Sequence, residues 1–357
     1  MSGITNFEIN NNVKSICIYG KTCKDKEYDL DIVIPTYKRK DLLLETIRSI
    51  NNQIPTRKLK WHVMVVSNDP EFQIDDIMPL INDENYSVYV NTSNLGMVGN
   101  INRCALVSKA KYVAYIQDDD ILLCNYLIEI EKLFISDKLK NIDCLIPNRL
   151  LYIDKNDDNE QYGKRSIITE QIKSIFGKIT FKKKANLLER IQYVQCAEIL
   201  FNGFGGGPTC GMLFEREKLL LTAGFSYEYP YAFDQAFFIE NSDKLNVFLF
   251  DKYLSIYRLT DGASRNPKVL YDFYRCDNYL VEQSVSKSRF VACYKNEILR
   301  YSYDKKPEDT QRMIDVVPNI EKSKYFKYKI LKFWKMTRSS IYRRKIIYDI
   351  KNITIDV

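Results

Sequence analysis

From Asp31 onward, short apolar runs alternate with longer segments whose apolar positions recur at helical spacing. Asp31–Ile34 is the first run, and Pro35 is expected to stop it, giving a buried strand and then a turn. Asp41 is placed to cap a helix in which Leu43, Ile47, Ile50 and Ile54 share one face until Pro55 ends it. His62–Val66, Tyr86–Val90 and Tyr112–Ile116 read as three more strands, with a helix over Gly99–Lys109 before the last. A polar lead-in upstream holds a candidate short strand, Ser15–Tyr19. Further along, Asp154–Lys164 reads as a polar surface loop and Ile167–Ile199 as helical. Thr209–Phe214 reads as a strand, Glu215–Gly224 and Asp234–Asn241 as helices, and Val247–Phe250 as a strand.

Strands and helices in this order predict an α/β fold with a mostly parallel central sheet, flanked by helices and joined by right-handed crossovers. Ligands of such sheets lie beyond the carboxyl ends of the strands. Three of the four principal strands end in chemically capable residues: Pro35-Thr36-Tyr37, Asn68-Asp69 and Asp118-Asp119-Asp120. The division expected is a lead-in over 1–29, a main domain over 30–270 and a helical basic extension over 271–357.

Composition narrows the chemistry. The chain has 357 residues and a single histidine, His62. That excludes histidine triads and zinc clusters, and His62 itself, between Trp61 and Val63 at a strand start, reads as structural. Nine cysteines form no CxxC pair, which suits reduced structural thiols. Apolar runs are too short to span a bilayer and Met1–Asn12 has no apolar signal segment, so the cytosol is the expected compartment. Acid–base or metal chemistry must therefore rest on carboxylates.

Three adjacent aspartates repel one another unless a cation or hydrogen-bond donors offset them. Asp118–Asp120 at a strand end suit Mn²⁺ or Mg²⁺, hard ions that take few carboxylates and complete their shell with water and phosphates. The alternative is a solvated acidic turn capping a helix over Ile121–Phe134. Gly205-Gly206-Gly207 would let backbone N–H groups approach a ligand, or would serve as a hinge. Asp234 is either a reactive carboxylate or the cap of the helix that follows it.

Three segments, DIVIPTYKRKDLLLETIRSI, NLGMVGNINRCALVSKAKYVAYIQDDDIL and GGGPTCGMLFEREKLLLTAGF…YAFDQAFF, together resemble the inverting family 2 glycosyltransferases of GT-A fold, of the bacterial surface-polysaccharide type. The resemblance spans about residues 30–265. It implies a nucleotide pocket lined by Pro35, Thr36, Tyr37 and Arg39, with Asn68 or Asp69 reading the base, commonly uracil. Asn94 and Gly96 would shape its wall. Asp118 would approach the ribose, with Asp119 beside it, and Asp120, with Asp118, would hold the metal on the diphosphate. Gly206, Gly207 and Pro208 would border the donor and acceptor pocket, and Asp234 would be the general base. Two departures stand out: Phe233 replaces the glutamate expected before the base, and Thr260 replaces the histidine expected after Tyr257-Arg258-Leu259. Arg258 or Arg265 would then neutralise the diphosphate.

The formal net charge of +7 has one source: Lys322–Lys345 holds ten Lys/Arg and no acidic residue, leaving about −3 for the rest. Phe326, Ile330, Phe333, Trp334 and Ile341 fall near one helical face there, suiting an anionic membrane surface. RNA binding or a plain solvated helix are the competing uses. With the implied activity the expectation is a peripheral protein at the cytoplasmic face, acting on glycan or glycolipid acceptors, with no nucleic-acid partner. Rival readings are a nucleotidyltransferase that makes sugar nucleotides, against which Pro35-Thr36-Tyr37 speaks, and a non-catalytic glycan- or membrane-binding relative.

Overall fold

The computed structural model describes residues 4–20, 28–81, 85–136, 138–153, 191–194, 209–241, 244–259, 272 and 276. Ten strands form one sheet: β1 (Ser15–Tyr19), β2 (Leu30–Thr36), β3 (Trp61–Ser67), β4 (Tyr86–Asn91), β5 (Tyr112–Tyr115), β6 (Ile121–Leu122), β7 (Cys144–Ile153), β8 (Ile191–Val194), β9 (Met212–Glu215) and β10 (Val247–Leu259). The sheet runs β1-β4-β3-β2-β5-β9-β7-β10-β6, with β8 also on β10. Strands β4, β3, β2 and β5 are parallel neighbours, as are β7 and β10. Antiparallel β9 is inserted between the two groups. Among the described residues the helices are α1 (Lys40–Asn51), α2 (Gly96–Val107), α3 (Tyr126–Ile135), α4 (Arg216–Leu220) and α5 (Phe233–Glu240).

Strands β2, β3, β4 and β5 are buried on both faces, which is why their sequences are near-continuous apolar runs. Leu30, Ile32 and Ile34 pack with Leu43, Ile47 and Ile50 of α1 and with α3. Val33, Met64 and Val66 pack on the other face with Ile101 of α2 and Phe237 of α5. A helix as short as α1 is marginal alone. Leu43, Ile47 and Ile50 are all fully buried, at about 2 kcal/mol each, and this burial holds it on the sheet.

Several expectations are corrected. Pro35 does not stop β2; the strand runs on to Thr36, paired with β3. Its missing N–H points to the β5 side, where pairing ends after Val33↔Tyr115, so no ladder bond is lost. Helix α1 begins at Lys40, so Asp41 lies in its first turn and Arg39 occupies the cap position without a capping bond. The segment expected as a helix over Ile121–Phe134 first makes β6, which pairs with β10, and only then α3. Within the stretch read as helical, Ile167–Ile199, residues 191–194 form β8, antiparallel to β10. The tail over 322–345 lies outside the described residues. Among those described, no helix is long and apolar enough to cross a membrane.

His62 sits in β3, its Nδ1 3.3 Å from Asp31 and its ring stacked on Tyr28. Asp31 also accepts N–H bonds from Lys109 and Ala110. This cluster ties together the amino ends of β2, β3 and β5, the pole opposite the aspartate triplet.

Candidate active site

At the carboxyl end of β2 the chain turns sharply, and Lys38 takes a left-handed φ of 54°, uncommon for a residue with a side chain. The turn brings Arg39 back across the ends of β2 and β5. Its Nη1 lies 2.7 Å from Asp119 Oδ2 and 3.3 Å from Asp118 Oδ1. The other Asp118 oxygen accepts from the Thr36 hydroxyl at 2.8 Å and from the Tyr37 N–H at 3.4 Å. Both oxygens of Asp118 are thus tied to protein donors.

Asp120 is placed differently. Its side chain is fully buried, Oδ1 accepts the Arg258 N–H at 3.1 Å, and Oδ2 has no hydrogen-bond partner. The backbone beneath is pinned by Thr46 of α1, whose hydroxyl reaches the carbonyls of Asp118 and Asp120 at 3.1 and 2.7 Å. A buried carboxylate oxygen without a donor is costly unless a cation takes it. Hard oxygen donors suit Mn²⁺ or Mg²⁺, so Asp120 fits as a metal ligand. Among the described residues no three His, Cys, Asp or Glu side chains form a ready-made metal cage.

Burial pushes the Asp120 carboxyl up to about 7, and neighbouring Asp119 adds to the effect; the Arg258 N–H, the Cys210 thiol and the charge of Arg149 oppose it. Burial raises Asp118 to about 6, with Arg39 pulling the other way. Burial also lowers the Arg39 pKa, but Asp118 and Asp119 outweigh it and the net direction is upward.

Asp234 lies in the first turn of α5, its Oδ1 accepting the Gln235 N–H at 2.8 Å. Burial raises its carboxyl to about 6, opposed by that N–H and by the charge of Arg149. The preceding Phe233 is buried against Phe225, at a ring-centroid distance of 5.7 Å, in an aromatic cluster with Phe214 and Phe237. The departure from the expected glutamate therefore has a packing role: this ring anchors the start of the helix that carries Asp234. Tyr231 donates its N–H to Asp272 at 3.0 Å, fixing the approach to the same helix.

Tyr257 on β10 links the two acidic groups. Burial raises its hydroxyl pKa first, and the charges of Asp120, Asp234 and Asp119 raise it further, so this hydroxyl lies within electrostatic reach of all three carboxylates. Arg258, next in sequence, turns its guanidinium away to an ion pair with Glu45 of α1. Its contribution at the triplet is the backbone N–H.

The base-side residues also separate. Asn68 is buried and its amide is fully used: it donates to Asn94 Oδ1 at 2.7 Å and Gly96 O at 3.1 Å, and accepts from Leu95 N and Asn91 Nδ2. Gly96, with φ of 71°, turns the chain into α2 there. Asp69 is half-buried, and its Oδ1 accepts the Glu71 N–H at 3.2 Å. Pro35, Thr36, Tyr37, Arg39 and Asp118–Asp120 come together at one strand edge, with Asn68, Asp69, Asn94 and Gly96 at the neighbouring strand ends. Gly206, Gly207, Pro208 and Arg265 lie outside the described residues.

Sequence reasoning assigned no role at the site to Thr46, Arg149 or Tyr257. Thr46 carried a signal, a polar residue on the apolar face between Leu43 and Ile50. Arg149 carried none, because its strand was not recognised.

A central parallel group of strands with helices on both faces and carboxylates at its carboxyl edge gives the class of the domain, an α/β architecture of the GT-A kind. A model of glycosyl transferase family 2 matches residues 31–217, more than half of the chain, and the protein belongs to that family. Among solved structures it is similar to S. aureus TarS 1-349 in complex with UDP-GlcNAc. Identity is 16%, with 81% of this chain and 79% of that chain covered, at a TM-score of 0.52. It is also similar to mannosyltransferase PcManGT from Pyrobaculum calidifontis in complex with GDP-Man and Mn²⁺. There identity is 10%, coverage 94% and 91%, and the TM-score 0.50. Compared by sequence with curated proteins, the chain has no match.

Proposed function

We propose that this glycosyltransferase moves one sugar, with inversion, from a nucleotide diphosphosugar to a glycan or lipid-linked saccharide acceptor. The observation that carries the reading is the donorless, fully buried oxygen of Asp120 in the turn after β5, with the charges of Asp120 and Asp234 both acting on the Tyr257 hydroxyl. The relatives solved with UDP-GlcNAc and with GDP-Man and Mn²⁺ support the donor class. UDP is our choice of nucleotide. Asp69 has a carboxylate to accept the imide N–H of uracil, whereas the Asn68 amide is already committed.

Asp118, held by Thr36 and Arg39, forms the floor beneath the ribose. Asp120 would hold a divalent ion, which when bound neutralises the diphosphate as it departs. Asp234 accepts the proton of the acceptor hydroxyl while its oxygen bonds to the anomeric carbon. The bond from that carbon to the diphosphate oxygen breaks on the opposite side, and its electron pair leaves with the nucleotide. A carboxyl raised to about 6 suits a general base, because at neutral pH it is mostly ionised and yet more basic than a free aspartate. The basic segment 322–345 is the part we assign to an anionic membrane surface at the cytoplasmic face.

The test is a screen of UDP- and GDP-sugars for turnover with and without Mn²⁺, run on the wild type and on Asp234→Asn. The variant should lose about 10²–10⁴-fold in turnover and keep nucleotide binding. Wild-type turnover in the variant removes Asp234 as the base, and inertness of the wild type toward all donors removes the function.

A further inference from the structure

We propose that Arg149 is a substrate-contacting residue, its guanidinium gripping the diphosphate of the donor and of the departing nucleotide. The proposal rests on the nucleotide-diphosphosugar reading above and names the protein cation that reading lacks.

The sheet register places it. Arg149 of β7 pairs with Ser255 of β10, and paired residues in adjacent strands project to the same face. Tyr257 is two residues beyond Ser255 and shares that face. The contacts agree: the Arg149 guanidinium carbon lies 6.0 Å from the centroid of the Tyr257 ring, and the Ser255 hydroxyl bonds Cys210 O at 3.0 Å. The charges of Asp119, Asp120 and Asp234 all act on the Tyr257 hydroxyl. Burial raises Asp120 and Asp234, and in both cases the charge of Arg149 acts in the opposite direction, so it stands within electrostatic reach of each.

Charge balance then points to the ligand. Four carboxylates, Asp118, Asp119, Asp120 and Asp234, belong to this site. Of the described arginines around them, Arg39 is spent on Asp118 and Asp119, and Arg258 on Glu45. Among the described residues Arg149 has no salt-bridge partner and rests instead on the tyrosine face. Arg149 is half-buried, so its guanidinium is within reach of a ligand, and an arginine carries its N–H donors in a rigid planar fork. That planar fork matches phosphate oxygens two at a time. Arg149 thus acts on both the carboxyl that would hold the cation and the one that would face the acceptor, and the donor must reach from the first to the second.

The experiment is calorimetric titration of UDP, GDP and uridine, each with Mn²⁺, into the full-length wild type, Arg149→Met and Arg149→Lys. Thermal unfolding of each protein is recorded alongside. Methionine keeps the apolar stem on Tyr257 but has no charge. Arg149→Met should weaken the diphosphate that the wild type binds by about ten- to a hundredfold, as expected for losing charge-assisted hydrogen bonds. It should leave uridine affinity unchanged, and Arg149→Lys should recover part of the loss. Unchanged diphosphate affinity in Arg149→Met overturns the proposal. So does an equal loss for the diphosphate and uridine, which would mark a structural role. If the wild type binds neither diphosphate, the nucleotide-sugar reading itself fails and this inference with it, an outcome distinct from the other two.

Discussion

The buried carboxyl of Asp120 makes the metal-free protein less stable as pH rises, and Asp120→Asn isolates the effect. In the folded chain this carboxyl titrates at about 7, against an ordinary value of 3.8. Burial is the main cause, and Asp119 adds to it. The folded state therefore binds this proton more tightly than the unfolded state does. Stability is fully present below pH ~4, is lost between about 4 and 7, and stays lost above. A shift of roughly three units corresponds to up to about 4 kcal/mol. The asparagine variant keeps an oxygen for the Arg258 N–H and cannot ionise. Asp118 and Asp234 titrate in both proteins and cancel to first order. Urea unfolding in EDTA, followed from about pH 4 to about pH 8, should show the variant equal to the wild type at the acid end. At the alkaline end the variant should be more stable by a few kcal/mol. Mn²⁺ should then narrow the gap by stabilising the wild type alone, by about 2.7 kcal/mol at a hundred times Kd. A difference independent of pH, or a variant less stable than the wild type at pH ~8, refutes the reasoning.

Asn68→Asp, which restores the acid often found at this position in the resembled pattern, should cost about 2–3 kcal/mol because Asn94 Oδ1 and Gly96 O lose their donor. A melting temperature lower by about 5–10 °C is expected, and an unchanged one would count against the structural role of this amide. Asp69→Asn should instead leave stability within about 0.5 kcal/mol and weaken UDP binding severalfold in titration, since that carboxylate is half-buried with one oxygen on Glu71 N. Deleting 322–357 should abolish co-sedimentation with anionic liposomes, and the loss should be mimicked by high salt; retention by the truncated protein contradicts the membrane assignment.

Much of this protein was legible because burial imposes periodicity. A strand covered on both faces must be apolar throughout, so Val63–Val66 and Tyr112–Ile116 announced themselves, and the 3.6-residue spacing of Leu43, Ile47 and Ile50 announced α1. Aspartate is depleted in strands, so a triplet closing an apolar run drew notice before any fold was known. Other features were set by contacts between residues distant in sequence, which local pattern does not encode. Whether Pro35 ends β2 depends on where β5 stops beside it. Asp118, Asp119 and Asp120 look alike in sequence and differ only in what meets them: Thr36 and Arg39 for the first, Arg39 for the second, and no donor at all for one oxygen of the third. Arg258, expected at the diphosphate, is drawn to Glu45 across the β10–α1 gap. Arg149 comes beside Tyr257 because the register between β7 and β10 shifts around Tyr253 and sets Arg149 opposite Ser255. Local sequence thus determined which residues could do chemistry. Tertiary structure decided which of them remain free to do it, because hydrogen-bond capacity is finite and is consumed by whatever neighbour the fold supplies.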